Sequence, residues 1–321
     1  MFDYKLNTPV AFFIFKRPNE TARVFETIRQ VKPPQLLVVA DGPRPDREGE
    51  AELCDQTRSI IEKVDWNCEV LTNYAPENLG CKTRVSSGLD WVFDTVEEAI
   101  IIEDDCLPDR RFYPFAEELL ARYRDDTRVF SITGQNVQFG RKSNDYSYYF
   151  SRYTNCWSWA SWRRAWKYYD VEMKLWPEIR DSNWLVDILG DSQTVQVWKQ
   201  TFEMCYDGRL NTWDFQWTFA NFIQNALTAV SQVNLVTNIG YGAGGTHTDD
   251  VDSPYNNMKI EPIEFPLKHP HFMIRDSLAD QFAQDTLYDY APSLCQRIYR
   301  KLTGSSPMTR INSRLKRYSR K

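Results

Sequence analysis

What this chain lacks narrows its chemistry first. No apolar run approaches the roughly 18 residues that a membrane-crossing helix needs. The start of the chain also lacks the basic-then-apolar pattern of a secretory leader. The seven cysteines, at 54, 68, 81, 106, 156, 205 and 295, include no Cys-x-x-Cys pair. That argues against a structural zinc site or a disulfide framework and for a reducing cytosol. Residues 1–296 lack a basic excess: nine Lys/Arg and no acid fall in 297–321, which leaves 30 bases against 44 acids, or −14, in the body. Nucleic acid is therefore not an expected partner, because it favours a basic face. What the chain does have is 321 residues at 42% hydrophobic and 14% aromatic, enough for a sizeable core in one large domain or two lobes.

The first hundred residues alternate between two periodicities. Pro9 to Phe15 is an apolar run of strand length, and Pro18-Asn19-Glu20-Thr21 suits a helix start, with proline in the first turn and an acid near the positive end. Val24, Ile28 and Val31 recur at helical spacing before Pro33-Pro34 ends the element. Leu36 to Ala40 predicts a second buried strand, and Leu53, Ile60, Ile61 and Val64 the inward face of a second helix. A short strand is expected around Glu69 to Leu71, a third helix through Val85, Leu89, Val92 and Val96, and a fourth strand at Ala99 to Ile102. Buried strands separated by amphipathic helices predict an α/β fold with a parallel, doubly wound sheet. Right-handed crossovers place the strand ends on one rim, where such sheets bind ligands.

That rim collects a distinctive set of side chains. The fourth strand runs into Glu103-Asp104-Asp105, three adjacent carboxylates that repel one another and are costly to desolvate. A cation opposite them, usually divalent, gives a fold reason to keep them there; a solvated acidic turn is the alternative. Phe15 and Lys16-Arg17 follow the first strand and Asp41 the second. A basic pair, a lone acid and an acidic triplet suit a nucleotide carrying a diphosphate and a metal. Asn78-Leu79-Gly80 precedes Lys82 and Arg84, cations in a first helical turn where they oppose the dipole, so an anion between them is expected over a plain surface turn.

The order of PVAFFIFKRP, LLVVADGP, Asn78-Leu79-Gly80 and IIIEDDCLP resembles a GT-A-fold glycosyltransferase that uses a nucleotide-diphosphate sugar. The Asn-x-Gly turn is similar to that of the large bacterial family 2 enzymes. Glu-Asp-Asp with Pro108 behind it is similar to the N-acetylglucosaminyltransferase I group, whose version of the DxD motif is the same triplet. The resemblance covers roughly residues 9–250. It implies a Rossmann-like, mostly parallel sheet flanked by helices, with a nucleotide-sugar half at 1–108, a mixed acceptor half of the same domain at 109–250, and a helical C-terminal extension at 251–321. It further implies that Asp105 coordinates Mn2+ or Mg2+ bridging the two phosphates, that Glu103 and Asp104 face sugar or ribose, and that Asp41 contacts base or ribose. The expected donor is a UDP-sugar and the acceptor a glycan or lipid-linked hydroxyl.

Residues 153–170 hold Trp157, Trp159, Trp162 and Trp166. The spacing 159, 162, 166 describes one face of a helix, so Trp162 and Trp166 are expected in the core, with Trp157 or Trp159 near the sugar. In Thr212-Trp213-Asp214-Phe215 an acid lies between aromatics, where desolvation disfavours the charged form, a property that suits a general base. The resembled group takes its base from a Trp-Asp segment here, which makes Asp214 the candidate, with inversion at the sugar; a helix-capping aspartate is the alternative, and Asp187 and Asp191 are weaker rivals. Gly240, Gly242 and Gly245 match Gly-x-Gly-x-x-Gly but run into a loop sequence rather than a helix, so a dinucleotide site is rejected. By the resemblance this is a loop that closes over the donor, with His247 as a further metal or diphosphate ligand. In the basic tail Ile298, Leu302, Ile311 and Leu315 interleave with cations. That fits either peripheral contact with the inner face of the membrane or a solubilising tail on a cytoplasmic protein. A sugar-1-phosphate nucleotidyltransferase is the competing enzyme, but it wants a glycine-rich loop after the first strand, which KRPNET lacks; a silent carbohydrate-binding protein is the competitor from another class.

Overall fold

The computed structural model describes residues 4–241 and 255–288. In chain order the first half contains β1 (Val10–Ile14), α1 (Pro18–Val31), β2 (Gln35–Ala40), α2 (Glu50–Ser59), β3 (Glu69–Tyr74), α3 (Gly80–Thr95), β4 (Glu98–Glu103) and β5 (Cys106–Pro108). There follow α4 (Phe112–Arg122), β6 (Val129–Thr133), β7 (Tyr148–Ser151), β8 (Trp159–Trp162), α5 (Arg163–Trp166), α6 (Trp176–Arg180), α7 (Trp184–Leu189), α8 (Ser192–Tyr206) and α9 (Asp214–Ile223). Last come β9 (Leu227–Ser231), β10 (Val236–Asn238) and α10 (Ser277–Ala283).

Among the described residues one sheet holds eight strands in the order β3-β2-β1-β4-β8-β6-β9-β7. β1, β2, β3 and β4 are mutually parallel. β8 lies antiparallel to both β4 and β6, and β9 runs parallel to β6, so β6 and β9 point the same way as β1 to β4. The α/β class and the mostly parallel sheet flanked by helices are therefore as expected. β1, β2 and β4 read as nearly unbroken apolar runs because both faces are covered, whereas the edge strand β3 has no buried residue. Val10, Phe12 and Ile14 face the layer of α1 and α4, with Val38 and Ile102 beside them. Ala11 and Phe13 face the other layer with Val39 and Ile101, against Leu89 and Val92 of α3 and Trp217 of α9. α3 comes so close that a Cβ on Gly88 would lie 2.6 Å from Val39 Cγ1 and 2.7 Å from Phe13 Cε1. A third layer is helical: Trp198 and Phe202 of α8 pack on Phe219 and Phe222 of α9, with Trp176 and Tyr153 against them.

The chain leaves α1 through Lys32, whose φ of 48° ends the helix before Pro33-Pro34. After the acidic triplet it does not simply stop at Pro108, since β5 pairs antiparallel with β10, Asn238 opposite Cys106. This small second sheet brings residues 236–241 back beside the triplet. The sheet and the α1–α4 core run without a break across residue 108.

The tryptophan segment differs from the helical expectation. Trp159 to Trp162 is strand β8, and only Arg163–Trp166 is helical. In a strand, positions three apart face opposite sides. Trp162 accordingly enters the α1–α4 core and Trp159 the α3–α9 core.

Candidate active site

The triplet emerges from β4 beside the end of β1, where the strand order reverses, the position at which open α/β sheets bind ligands. Arg17, just before α1, meets both aspartates: its Nη1 lies 2.5 Å from Asp105 Oδ2 and 3.4 Å from Asp104 Oδ1. The Phe15 amide donates to Asp104 Oδ2 at 2.9 Å. Burial, then the charge of Asp105, pushes the Asp104 carboxyl up to about 7, against the opposing pull of Arg17. The expected basic pair is split. Lys16 turns away to Glu50, 2.6 Å from its Oε2, and Glu50 also takes Arg44, whose hydrogen bond holds its carboxyl at about 2. The Phe15 ring lies under the Lys16 ammonium at 5.3 Å and the Arg44 guanidinium at 5.9 Å.

Glu103 is held well above the ordinary carboxylate range, first by burial and then by Asp105, Asp104 and Asp214 in turn. Two residues 111 apart in sequence thus share one electrostatic neighbourhood. Asp214 opens α9 and accepts a hydrogen bond from the Thr212 hydroxyl. An acid in a first helical turn is favoured by the dipole, so the helix-start role and a place in the cleft coexist. Three thiols stand among these acids; one, Cys106, donates from Sγ to Asp105 Oδ1 at 3.4 Å, and burial with the triplet holds it above an ordinary thiol. Burial and then Glu103, Asp214 and Asp105 push Cys81 up to about 12, and burial with Asp214 and Glu103 holds Cys156 higher than an ordinary thiol. Burial and the neighbouring acids both favour the neutral thiol at Cys81 and Cys156. Of the rival acids, Asp191 caps α8 by accepting from the Thr194 amide, and Asp187 lies on α7 in a separate cavity.

Two expected ligand residues are held by the chain itself. Asp41 is buried, and its Oδ1 accepts from the amides of Gly42 and Leu79, both at 2.9 Å. Its Oδ2 accepts from Asn78 Nδ2 at 3.0 Å and the Gly80 amide at 3.2 Å. A carboxylate has about four acceptor positions, so the chain itself takes them all. Asp41 is therefore the anion at the start of α3, and it shapes the 78–80 turn. Arg84 is also redirected: its Nη2 donates to Asn73 O and Oδ1 at 2.9 and 3.0 Å, and burial lowers its pKa. It pins α3 to β3. Lys82 is half-buried in the first turn of α3, its amide donating to Asn211 Oδ1 at 3.3 Å.

On the acceptor side Trp159 is core, stacked on Trp213 at 5.7 Å between ring centres. Trp166 stacks on Tyr169 at 4.1 Å and is core as well. Trp157 stays half-buried, on the loop leading into β8, and meets Tyr241 edge-on at 6.2 Å. The Ile239 amide donates to Asp105 O at 2.7 Å, and a Cβ on Gly240 would fall 2.5 Å from Asp105 Oδ2. Only glycine passes the carboxylate so closely. Gly240 and Tyr241 open the glycine segment expected near the donor, but the β5–β10 pairing that delivers them has no local signature in the sequence; Cys81 and Cys156 were not expected here. His247, the rest of its glycine loop and the basic tail lie outside the described residues.

The donor set suits a hard divalent cation. The three carboxylates of the triplet lie around the Arg17 guanidinium and Asp214 adjoins Glu103; burial first, then the neighbouring acids, drives Glu103 and Asp104 toward protonation. Among the described residues no three side chains are arranged to hold an ion unaided.

No family model matches the chain, and no curated protein does. Among solved structures it is similar to mannose-1-phosphate geranyltransferase from Thermus thermophilus, at 10% identity and TM-score 0.34 over 70% of this chain and 74% of that one. It is also similar to 4-diphosphocytidyl-2C-methyl-D-erythritolsynthase from Anaerococcus prevotii, at 12% identity and TM-score 0.31 over 70% and 86%. The apo form of UDP-glucose pyrophosphorylase gives 11% and 0.34 over 70% and 90%. With no TM-score among these above 0.34, the likenesses decide nothing about this chain's substrate.

Proposed function

We propose that the chain is a metal-dependent glycosyltransferase that moves a sugar from a nucleotide-diphosphate sugar to a hydroxyl acceptor with inversion. The observation that carries the reading is the gathering of Glu103, Asp104, Asp105, Arg17 and Asp214 at the carboxyl ends of β1 and β4. Asp105, with Glu103 beside it, would hold Mn2+ or Mg2+. When bound, that cation supplies charge neutralisation for the departing nucleotide diphosphate. Asp214 takes the proton of the acceptor hydroxyl as its oxygen attacks the anomeric carbon, and the electron pair of the breaking bond leaves with the diphosphate. Arg17 positions the aspartates, Lys82 meets phosphate, and Asp41 fixes the turn that presents it. Trp157 with Tyr241 offers an aromatic wall for a sugar ring. A UDP-sugar donor and a glycan or lipid-linked acceptor belong to the same proposal.

The test is incubation with UDP-, GDP- and dTDP-sugars plus Mn2+, following slow donor hydrolysis and the rise in Tm that a bound donor gives. Release of pyrophosphate from a nucleoside triphosphate and a sugar 1-phosphate would assign the chain to the nucleotidyltransferases instead. The segment Phe15-Lys16-Arg17 between β1 and α1 contains no glycine, which favours the first reading.

A further inference from the structure

A second cavity, of about 830 Å³, opens at the opposite edge of the sheet. Arg128 and Leu227 line it where β6 and β9 begin, and Phe222 to Gln224 line it where α9 ends. Since α9 starts at Asp214 and rises about 1.5 Å per residue over its 10 residues, the cavity stands about 15 Å from the candidate base. It is separate from the site described above.

Its walls mix three kinds of group. Trp184 and Leu175 present apolar surface and are 49% and 51% exposed. Asn221 and Gln224 bring amides; Asn221 is fully buried, its Nδ2 donates to Trp217 O, and its Oδ1 has no partner among the described residues. Glu178 and Asp187 line the cavity without an ion pair to any described residue. The wall is firm. Arg152 Nη1 donates to Ile188 O at 2.5 Å, and both Arg152 and Arg275 reach the buried Asp280, at 3.3 and 3.5 Å.

This combination selects among ligands. An acyl chain would strand an unpartnered amide oxygen and two carboxylates away from water. A phosphate would meet the unpaired Glu178 and Asp187, while of the three guanidiniums that line the cavity Arg152 and Arg275 are committed to Asp280 and Arg128 to Asp126. A sugar chain has apolar ring faces for an indole and hydroxyls that both donate and accept, matching carboxylates and amides. The volume lies within the roughly 300–1,000 Å³ of small-molecule sites. We propose that this cavity is a second, non-catalytic binding site for a short oligosaccharide, in which Trp184 stacks on a ring and Asp187 and Gln224 take its hydroxyls. It would hold a glycan away from the catalytic edge, and it stands whether or not the catalytic assignment does.

The test is retention of the full-length protein on an array of short neutral and acidic oligosaccharides, in the presence of saturating UDP and Mn2+. The expected result is at least one retained glycan class, weakened at least about tenfold by Trp184→Ala or Asp187→Asn, with UDP not displacing it. Both side chains are partly exposed, so the variants should keep the parent Tm. Absence of any retained glycan overturns the inference. So does retention that UDP abolishes or that neither variant weakens, or Trp184-dependent binding to phosphatidylglycerol vesicles without glycan retention.

Discussion

Arg17 Nη1 lies 2.5 Å from Asp105 Oδ2, so the acid assigned to a divalent cation carries a guanidinium in this structure. The two cations would share or compete for the same oxygen. Arg17→Gln should therefore raise the affinity for Mn2+ alone, by about 3–10-fold for a removed like charge at this range. The same change should weaken binding of a nucleotide-diphosphate sugar, because phosphate loses a positive neighbour. Calorimetry with Mn2+ and with donor separates the two effects; a fall in affinity for the bare ion would contradict the assignment.

Gly240 tests the wall opposite that pair. Its missing side chain leaves room for Asp105, whose Oδ2 and Cβ a new Cβ would meet at 2.5 and 2.6 Å. Gly240→Ala should displace the carboxylate and cost about tenfold or more in donor turnover, as misplacement by about 1 Å does in catalysis. Tm should move little, since the clash lies at the edge of the fold.

The tryptophans separate core from site. Trp159 is 1% exposed between Trp213 and Trp217, so Trp159→Ala should cost about 3–5 kcal/mol in urea unfolding. Trp157→Ala should cost less than about 1 kcal/mol, consistent with a half-buried side chain, while raising the KM for donor or acceptor.

Glu50 gives a pH signature. Its carboxyl is held at about 2 against an ordinary 4.5, so its contribution is fully present above about pH 4.5 and is lost as pH falls through about 2. The carboxyl is buried but its partner Arg44 is 38% exposed, and screening trims the contribution to about 1–2 kcal/mol. In Glu50→Gln the unfolding free energy should fall less between pH 5 and 2 than in the parent; parallel curves would refute the ion pair.

The strand–helix alternation through Glu103 was legible because β1, β2 and β4 are buried on both faces and the helices carry a 3.6-residue stripe. The placement of Arg17 and the triplet on one edge followed from that alternation. What stayed hidden depended on long-range partners. Asp41 looked like a ligand residue, yet four hydrogen bonds from 42 and 78–80 occupy it, and nothing local announces them. Trp159 and Trp162 fit a helix by spacing, but pairing with β4 and β6 made the segment a strand and sent the two rings to opposite cores. Gly240 reached Asp105 through a two-stranded sheet joining segments about 130 residues apart. Arg84 shared its helix face with core residues and turned inward to Asn73.

The central claim is that Asp105 and Asp214 serve one reaction on a nucleotide-diphosphate sugar. The most direct measurement compares nucleotide-diphosphate release by the parent, Asp105→Asn and Asp214→Asn with the same donor panel and Mn2+, each protein matched for Tm. Release that depends on Mn2+ in the parent and falls at least about 100-fold in each variant is predicted. Undiminished release by both variants, or no release from any donor by the parent, would contradict it.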